Sequence, residues 1–353
     1  MTSSTGTSGA LPLQIKIDVE QWPLKEPFYI TGHRFDVSST VVVTISDGYR
    51  VGRGEGSGVY YKGETPSRMT AMIDGVRMRI TTGIDRRELL DILPPGGARN
   101  AIDCALWDLE AAQRREPVWA LAGLPGIRPL LTTWTIGAAA PAKMADTARG
   151  YLGCRAIKLK LLGDGLDGER VLAVRRERPD VWLGVDANQG FTPETLRAVW
   201  ETLLACDVKL VEQPFPLERD DWMKSVDRTI PFGADESLQS FADLERIAGL
   251  YEVINIKLDK CGGLTEGLAI ARQARAMGLQ VMVGNMTGTS LGMAPALVLG
   301  QLCDIVDLDG PIFLARDHVP GVQYSDGHIG IDREFWGRVT TSLDRTAEQS
   351  KAG

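Results

Sequence analysis

The chain has 353 residues, with 39 Lys+Arg against 46 Asp+Glu and three histidines, His33, His318 and His328. A 44% hydrophobic and 24% charged composition is that of an ordinary soluble globular protein and argues against disorder, a collagen-like repeat and a coiled coil. The net charge of −7, without any Lys/Arg-rich run, argues against a nucleic-acid partner, and so few histidines argue against a His-rich zinc site.

In chain order, residues 11–60 alternate in the manner of strands, with Val41, Val43 and Ile45 on one face and a hairpin turn at Asp47-Gly48. The glycines of 52–58 (GRGEGSG) depart from a dinucleotide or phosphate-loop pattern, so they read as a hairpin end. Residues 86–123 read as helical, with Ile102, Ala105, Leu106, Leu109 and Ala112 in one stripe. Residues 1–126 are thus expected to form a small α+β domain. Beyond that point eight apolar runs alternate with amphipathic stretches: LTTWTIGA, AIKLKL, WLGVDAN, VKLVEQP, PFGADES, VINIKLD, VMVGNM and DIVDLDG. Eight such runs predict a (β/α) barrel over 127–315, with its polar strand ends on one rim. Thr192 is placed to cap the helix over 193–205, and Thr265 to cap a later one. Residues 316–353, with the β-like GHIGIDREFW, are expected to pack back on the first domain. The uncharged stretch 276–303 is broken by Asn285, Thr287 and Pro295, which predicts a buried strand, a polar loop and a buried helix rather than a membrane span. Five scattered cysteines without a CxxC pair, behind a start that lacks a signal-peptide pattern, predict a reduced cytoplasmic protein.

The chemistry lies at the ends of the runs. Lys160, Asp186, Glu212, Asp235 and Lys257 follow one another at intervals of 26, 26, 23 and 22 residues, one ionisable group per strand end. In a barrel these ends face one cavity. Three carboxylates held together repel, and a divalent cation relieves the conflict. All donors are hard oxygens, which selects Mg²⁺ (or Mn²⁺). Asn188 and Glu236 stand beside the ligands and would support them. Lys158 and Lys160, two apart on a strand, point to the same face. Burial and like charge are expected to lower their pKa and make a general base available. Lys257 arrives from the opposite side. One cation and two opposed bases predict 1,1-proton transfer next to a carboxylate through an enediolate, with elimination or cycloisomerisation open to the same parts. Trp134, at the end of the first strand, is a candidate for the pocket wall or for the core.

KLK at 158–160, VDAN at Asp186, VEQP at Glu212, ADES at Asp235, NIK at Lys257 and NAIDCALWDLEAA before the barrel resemble, as a set, the enolase superfamily and its muconate lactonizing enzyme subgroup. The resemblance spans nearly the whole chain. It implies a (β/α)7β TIM-type barrel under an α+β capping domain, Lys160 and Lys257 as acid/base pair, and Asp186, Glu212 and Asp235 as ligands of one Mg²⁺ per active site. VDLDGP, with Asp307 and Asp309 two apart, resembles the Asp-x-Asp motif by which dipeptide epimerases bind the substrate ammonium. The resemblance therefore implies an isomerase that inverts the α-carbon of the C-terminal residue of a dipeptide, in a homo-oligomer; a cycloisomerase, an o-succinylbenzoate synthase and an N-acylamino acid racemase are the alternatives within the subgroup. In alanyl-glutamate epimerases an arginine of the loop near Pro27–Phe35 binds the glutamate side chain; Arg34 falls one residue from that place. Gly288 stands where many relatives carry an acidic residue.

Overall fold

A computed structural model describes residues 12–30, 32–331 and 335–337. Strands β1 (Gln14–Ile30), β2 (His33–Ser46) and β3 (Val51–Ser57) form an antiparallel sheet. Val41, Val43 and Ile45 are fully buried, as their alternation requires. The turn after β2 forms where expected: Gly48 has φ 88°, and the Asp47 carboxylate accepts from the Arg50 N–H at 2.7 Å. Helices Pro66–Thr81, Arg86–Ile92 and Gly97–Arg114 follow.

The glycines of β3 are not a hairpin end. They lie within the strand and let the helix Gly97–Arg114 rest directly on it. A Cβ at Gly52, Gly54 or Gly56 would lie 2.2, 2.2 and 2.1 Å from the carbonyl oxygens of Ala105, Ala101 and Gly97. Backbone meets backbone there, so no side chain can move aside. Gly54→Ala is expected to destabilise the chain by about 3 kcal/mol in chemical denaturation; a midpoint equal to that of the unmodified chain would disprove this packing.

The eight runs become eight parallel strands in sequence order. After the short strand β4 (Leu130–Leu131) come β5 (Trp134–Ile136), β6 (Ala156–Lys160), β7 (Trp182–Asp186) and β8 (Leu210–Glu212). Strands β9 (Phe232–Ala234), β10 (Val253–Lys257), β11 (Gln280–Gly284) and β12 (Ile305–Val306) complete the sheet. It curls until its ends meet, where Thr133 N–H donates to the Val306 carbonyl at 3.0 Å. The fold is a TIM-type barrel under an α+β cap. Thr192 caps the helix Pro193–Ala205 as expected, through a capping box with Thr195. Thr265 does not cap the helix Leu264–Ala276, whose N-cap is Gly263. Its N–H instead donates to Asp103 of the cap at 2.9 Å, a partner 162 residues away. Among the described residues no helix is long and apolar enough to cross a membrane, and 276–303 resolves into β11, a polar loop and the helix Ser290–Gly300. None of the five cysteines is in a disulfide. The final strands β13 (Val322–Ser325) and β14 (His328–Ile331) form a hairpin whose second strand pairs with β4. Farther on, Trp336 Nε1 donates to the Arg53 carbonyl at 2.8 Å. The remainder of the C-terminal segment lies outside the described residues.

Cap and barrel are joined by buried polar contacts. Arg99 donates to the Cys261 carbonyl at 2.6 Å, and Asn100 to Asp259 at 2.8 Å. Glu55, 1% exposed, accepts from the Thr289 N–H at 2.8 Å and from its hydroxyl. Burial pushes the Glu55 carboxyl up to about 8, against the pull of the two Thr289 donors. The folded chain therefore holds this proton through a range where the unfolded chain has released it. Stability from this group is full below pH 4.5 and falls as pH rises to about 8. Glu55→Gln is expected to remove roughly 1.4 kcal/mol per pH unit from the slope of unfolding free energy between pH 5 and 8. Parallel slopes for the two proteins would show that Glu55 is ionised when folded.

Candidate active site

Each strand end delivers one group to a common cavity, because residues at the C-terminal ends of barrel strands converge on the axis. Asp186 ends β7, Glu212 ends β8, and Asp235 follows β9 directly. All three are buried, and an oxygen of each lies within 4.8 Å of the other two. Lys160, the last residue of β6, donates to Asp186 at 2.6 Å, and Lys257, the last of β10, donates to Asp235 at 2.6 Å. In an eight-stranded barrel β6 and β10 stand four strands apart, so the two amines reach the triad from opposite walls.

Lys158 sits deeper. It pairs with Asp307, donates to Glu212 at 3.1 Å and lies 3.8 Å from Asp186. Burial lowers the pKa of Lys158, as the sequence leads one to expect, but Asp307, Glu212 and Asp186 outweigh it and hold the ammonium well above its ordinary value. For Lys257 too, Asp235 and Glu212 overcome burial, and the shift is upward. The lowering expected for Lys158 is thus reversed, because the carboxylates around it outweigh burial. Burial, with Asp186 adding to it, pushes Glu212 up to about 7. Asp235 is held far below the usual carboxylate range, since Lys257 and Lys260 together defeat its burial.

Asn188 takes φ 41°, donates its N–H to Asp186 at 2.8 Å and its amide to Glu236 at 3.4 Å. Burial, reinforced by Asp235 and Asp186, pushes Glu236 up to about 8. Two neighbours of the triad carry little sequence signal. Asn255 donates to Glu212 at 2.6 Å, and Lys260 donates to Asp235 at 2.5 Å. Both sit near Lys257 in NIKLDK, Asn255 on β10 and Lys260 in the helical turn Leu258–Cys261 that follows it, and their direction is set by that local geometry.

The other candidates fall in three places. Asp307 accepts from Thr133 Oγ1 besides its pair with Lys158. Asp309 accepts from the Thr135 N–H at 2.7 Å and from Asn285 at 3.2 Å, and burial beside Asp307 raises it to about 6. Trp134 is half-buried, edge-on to Tyr151 at 5.1 Å, and is not among the residues that line the cavity. Arg34 is exposed and donates to Asp36 at 2.8 Å, so the structure does not bring it to the cavity. Phe35, its neighbour, lines the cavity.

The donor set suits a hard divalent cation. Three buried carboxylates supply oxygen ligands, no His or Cys stands among them, and Asn188 Oδ1 and Glu236 Oε2 nearby are buried without a hydrogen-bond partner. The cavity above, about 250 Å³, is roofed by the β1–β2 hairpin and by Tyr60 and Tyr61 of the cap.

A barrel whose strand ends carry two lysines around a carboxylate triad, under such a cap, defines an enolase-type enzyme. Residues 13–123 match the mandelate racemase/muconate lactonizing enzyme N-terminal domain and residues 141–331 the enolase C-terminal domain-like family, and the chain belongs to this family. It is 38% identical over 319 residues to the L-Ala-D/L-Glu epimerase of Escherichia coli (strain K12), covering 90% of this chain and 99% of the relative. It is 36% identical over 263 residues to the N-acetyl-D-glutamate racemase of a Pseudoalteromonas species, covering 74% and 83%. The crystal structure of an enolase family member from Agrobacterium tumefaciens with homology to dipeptide epimerases, with bound sodium and L-Ala-L-Glu, superposes with a TM-score of 0.89 at 36% identity, covering 92% of this chain and 100% of that one. A dipeptide epimerase from Methylococcus capsulatus complexed with Mg and L-Arg-D-Lys gives 0.86 at 31% identity, covering 92% and 98%. The chain is accordingly an isomerase of the racemase and epimerase class.

Proposed function

We propose that the chain is a Mg²⁺-dependent dipeptide epimerase, acting on the α-carbon of the C-terminal residue by two-base 1,1-proton transfer. The observation that carries this reading is the placement of Lys160 and Lys257 on opposed strands around the triad. Asp186, Glu212 and Asp235 would hold one Mg²⁺, whose charge, when bound, stabilises the negative charge that a carboxylate substrate gains on losing its α-proton. The neutral form of one lysine takes the proton from one face of the α-carbon, leaving an enediolate. The ammonium of the other returns a proton to the opposite face. Asn188 and Glu236 keep Asp186 and its neighbours oriented, and Lys158 bridges Glu212 and Asp307 and offsets their charge. Asp309 and Asp307 would receive the substrate ammonium. We further read residues 1–126 as cap, 127–315 as barrel and 316–353 as a return segment, in a cytoplasmic homo-oligomer.

A second reading rests on one contact. The pair with Lys158 engages Asp307, which favours a substrate without an ammonium, such as an N-acylamino acid. Incubation of the Mg²⁺-loaded enzyme in D₂O with pooled L,L-dipeptides and, separately, N-acylamino acids decides between them. A gain of one mass unit in the dipeptides is the expected result. Exchange confined to the N-acyl pool would transfer the assignment to a racemase, and silence in both would overturn each reading.

A further inference from the structure

The roof of the cavity tells which side chain the epimerised residue carries, given the epimerase reading above. Phe28, Ile30, Phe35, Tyr60, Tyr61 and Met286 line it with apolar and aromatic surface. Phe35 meets Tyr60 edge-on at 5.4 Å, and Tyr60 meets Tyr61 at 5.0 Å, so these rings form one fixed wall. Among the described residues the cavity lining contains two cations, Lys160 and Lys257, and each lies 2.6 Å from a carboxylate of the floor. Arg34, the hairpin cation nearest the roof in sequence, turns outward to Asp36 at 2.8 Å. An anionic side chain entering this roof would lose its water without gaining a cation. For a cationic side chain the roof offers one carboxylate, Glu64, whose Oε2 accepts from the Val59 and Gly97 N–H groups at 2.9 and 3.3 Å, while the roof residues named above present apolar and aromatic surface.

We infer that the epimerised C-terminal residue is apolar or aromatic, and that Phe35 excludes glutamate at the position where it stands. The inference rests on the dipeptide-epimerase reading and adds the substrate class.

The test compares kcat/KM for α-proton exchange on L-Ala-L-Phe, L-Ala-L-Leu, L-Ala-L-Glu and L-Ala-L-Lys, with the Mg²⁺-loaded enzyme in D₂O. The expected result is a preference for Phe or Leu over Glu and over Lys of at least about tenfold. In Phe35→Arg the ratio of Glu to Phe turnover should rise by at least about tenfold, chiefly through KM for the glutamyl substrate. Glu or Lys turned over best by the unmodified enzyme would overturn the inference and leave the epimerase reading in place. An unchanged ratio in a folded Phe35→Arg enzyme would overturn the role of Phe35. No exchange on any of the four, with exchange on N-acylamino acids, would overturn the dipeptide reading and this inference with it.

Discussion

Lys160→Ala and Lys257→Ala are each expected to lower epimerisation by roughly 10³-fold or more, since general base and general acid are each worth about 10²- to 10⁴-fold. The two losses should differ in kind. Each variant retains one base, so each should still exchange the α-proton of one stereoisomer of the substrate and not of the other. That split follows from the opposed strands β6 and β10 and from no other feature of the site. Exchange followed by NMR in D₂O from each pure stereoisomer reads it directly; equal residual exchange from both would refute the two-base scheme. Lys257→Ala leaves Asp235 paired with Lys260 at 2.5 Å, so its fold should survive. Lys158→Ala should behave differently. It strips Glu212 and Asp307 of their shared buried partner, and the expected damage is to stability, by about 3 kcal/mol or more.

The second large effect is on the carboxylate triad. Treatment with a chelator should abolish activity, and Mg²⁺ should restore it. Glu212→Gln should weaken Mg²⁺ binding by about 10- to 100-fold or more, measurable by calorimetry without substrate. Three acidic oxygens within 4.8 Å of one another are the basis of this expectation. Full activity in excess chelator would remove the metal role from Asp186, Glu212 and Asp235 together.

The barrel was legible because all but the first of its strands are apolar runs that end in a polar residue or are followed directly by one. Leu159, Val185, Val211 and Ile256 are all buried, and the charged ends at Lys160, Asp186, Glu212 and Lys257 all point to the axis. Period and residue type therefore sufficed for the triad and its flanking lysines. What sequence could not supply were partners set by tertiary approach. Nothing near Thr265 tells that its cap comes from Asp103. The glycines of β3 look like a turn until the helix they accommodate is in place. The direction of the Lys158 and Lys257 shifts needed the carboxylates opposite them, 149 and 22 residues away in the chain. Arg34 and Phe35 are adjacent on β2, so the pleat sends them to opposite faces, and only the seating of the β1–β2 hairpin over the barrel shows that it is Phe35 that meets the cavity.

The helix Gly97–Arg114 has a consequence for how substrate enters. One face is seated on the glycines of β3, backbone to backbone. From the same helix Arg99, Asn100 and Asp103 grip the segment 259–266, which directly follows the strand bearing Lys257. The helix thus acts as an axle pinned to both halves of the molecule, and that side of the cavity cannot gape. Admission and release are therefore expected at the far edge, where the β1–β2 hairpin lines the cavity. Amide exchange should accordingly be slower along 97–114 than along 24–30 and 33–39, so that the doorway and the selective wall are the same few residues.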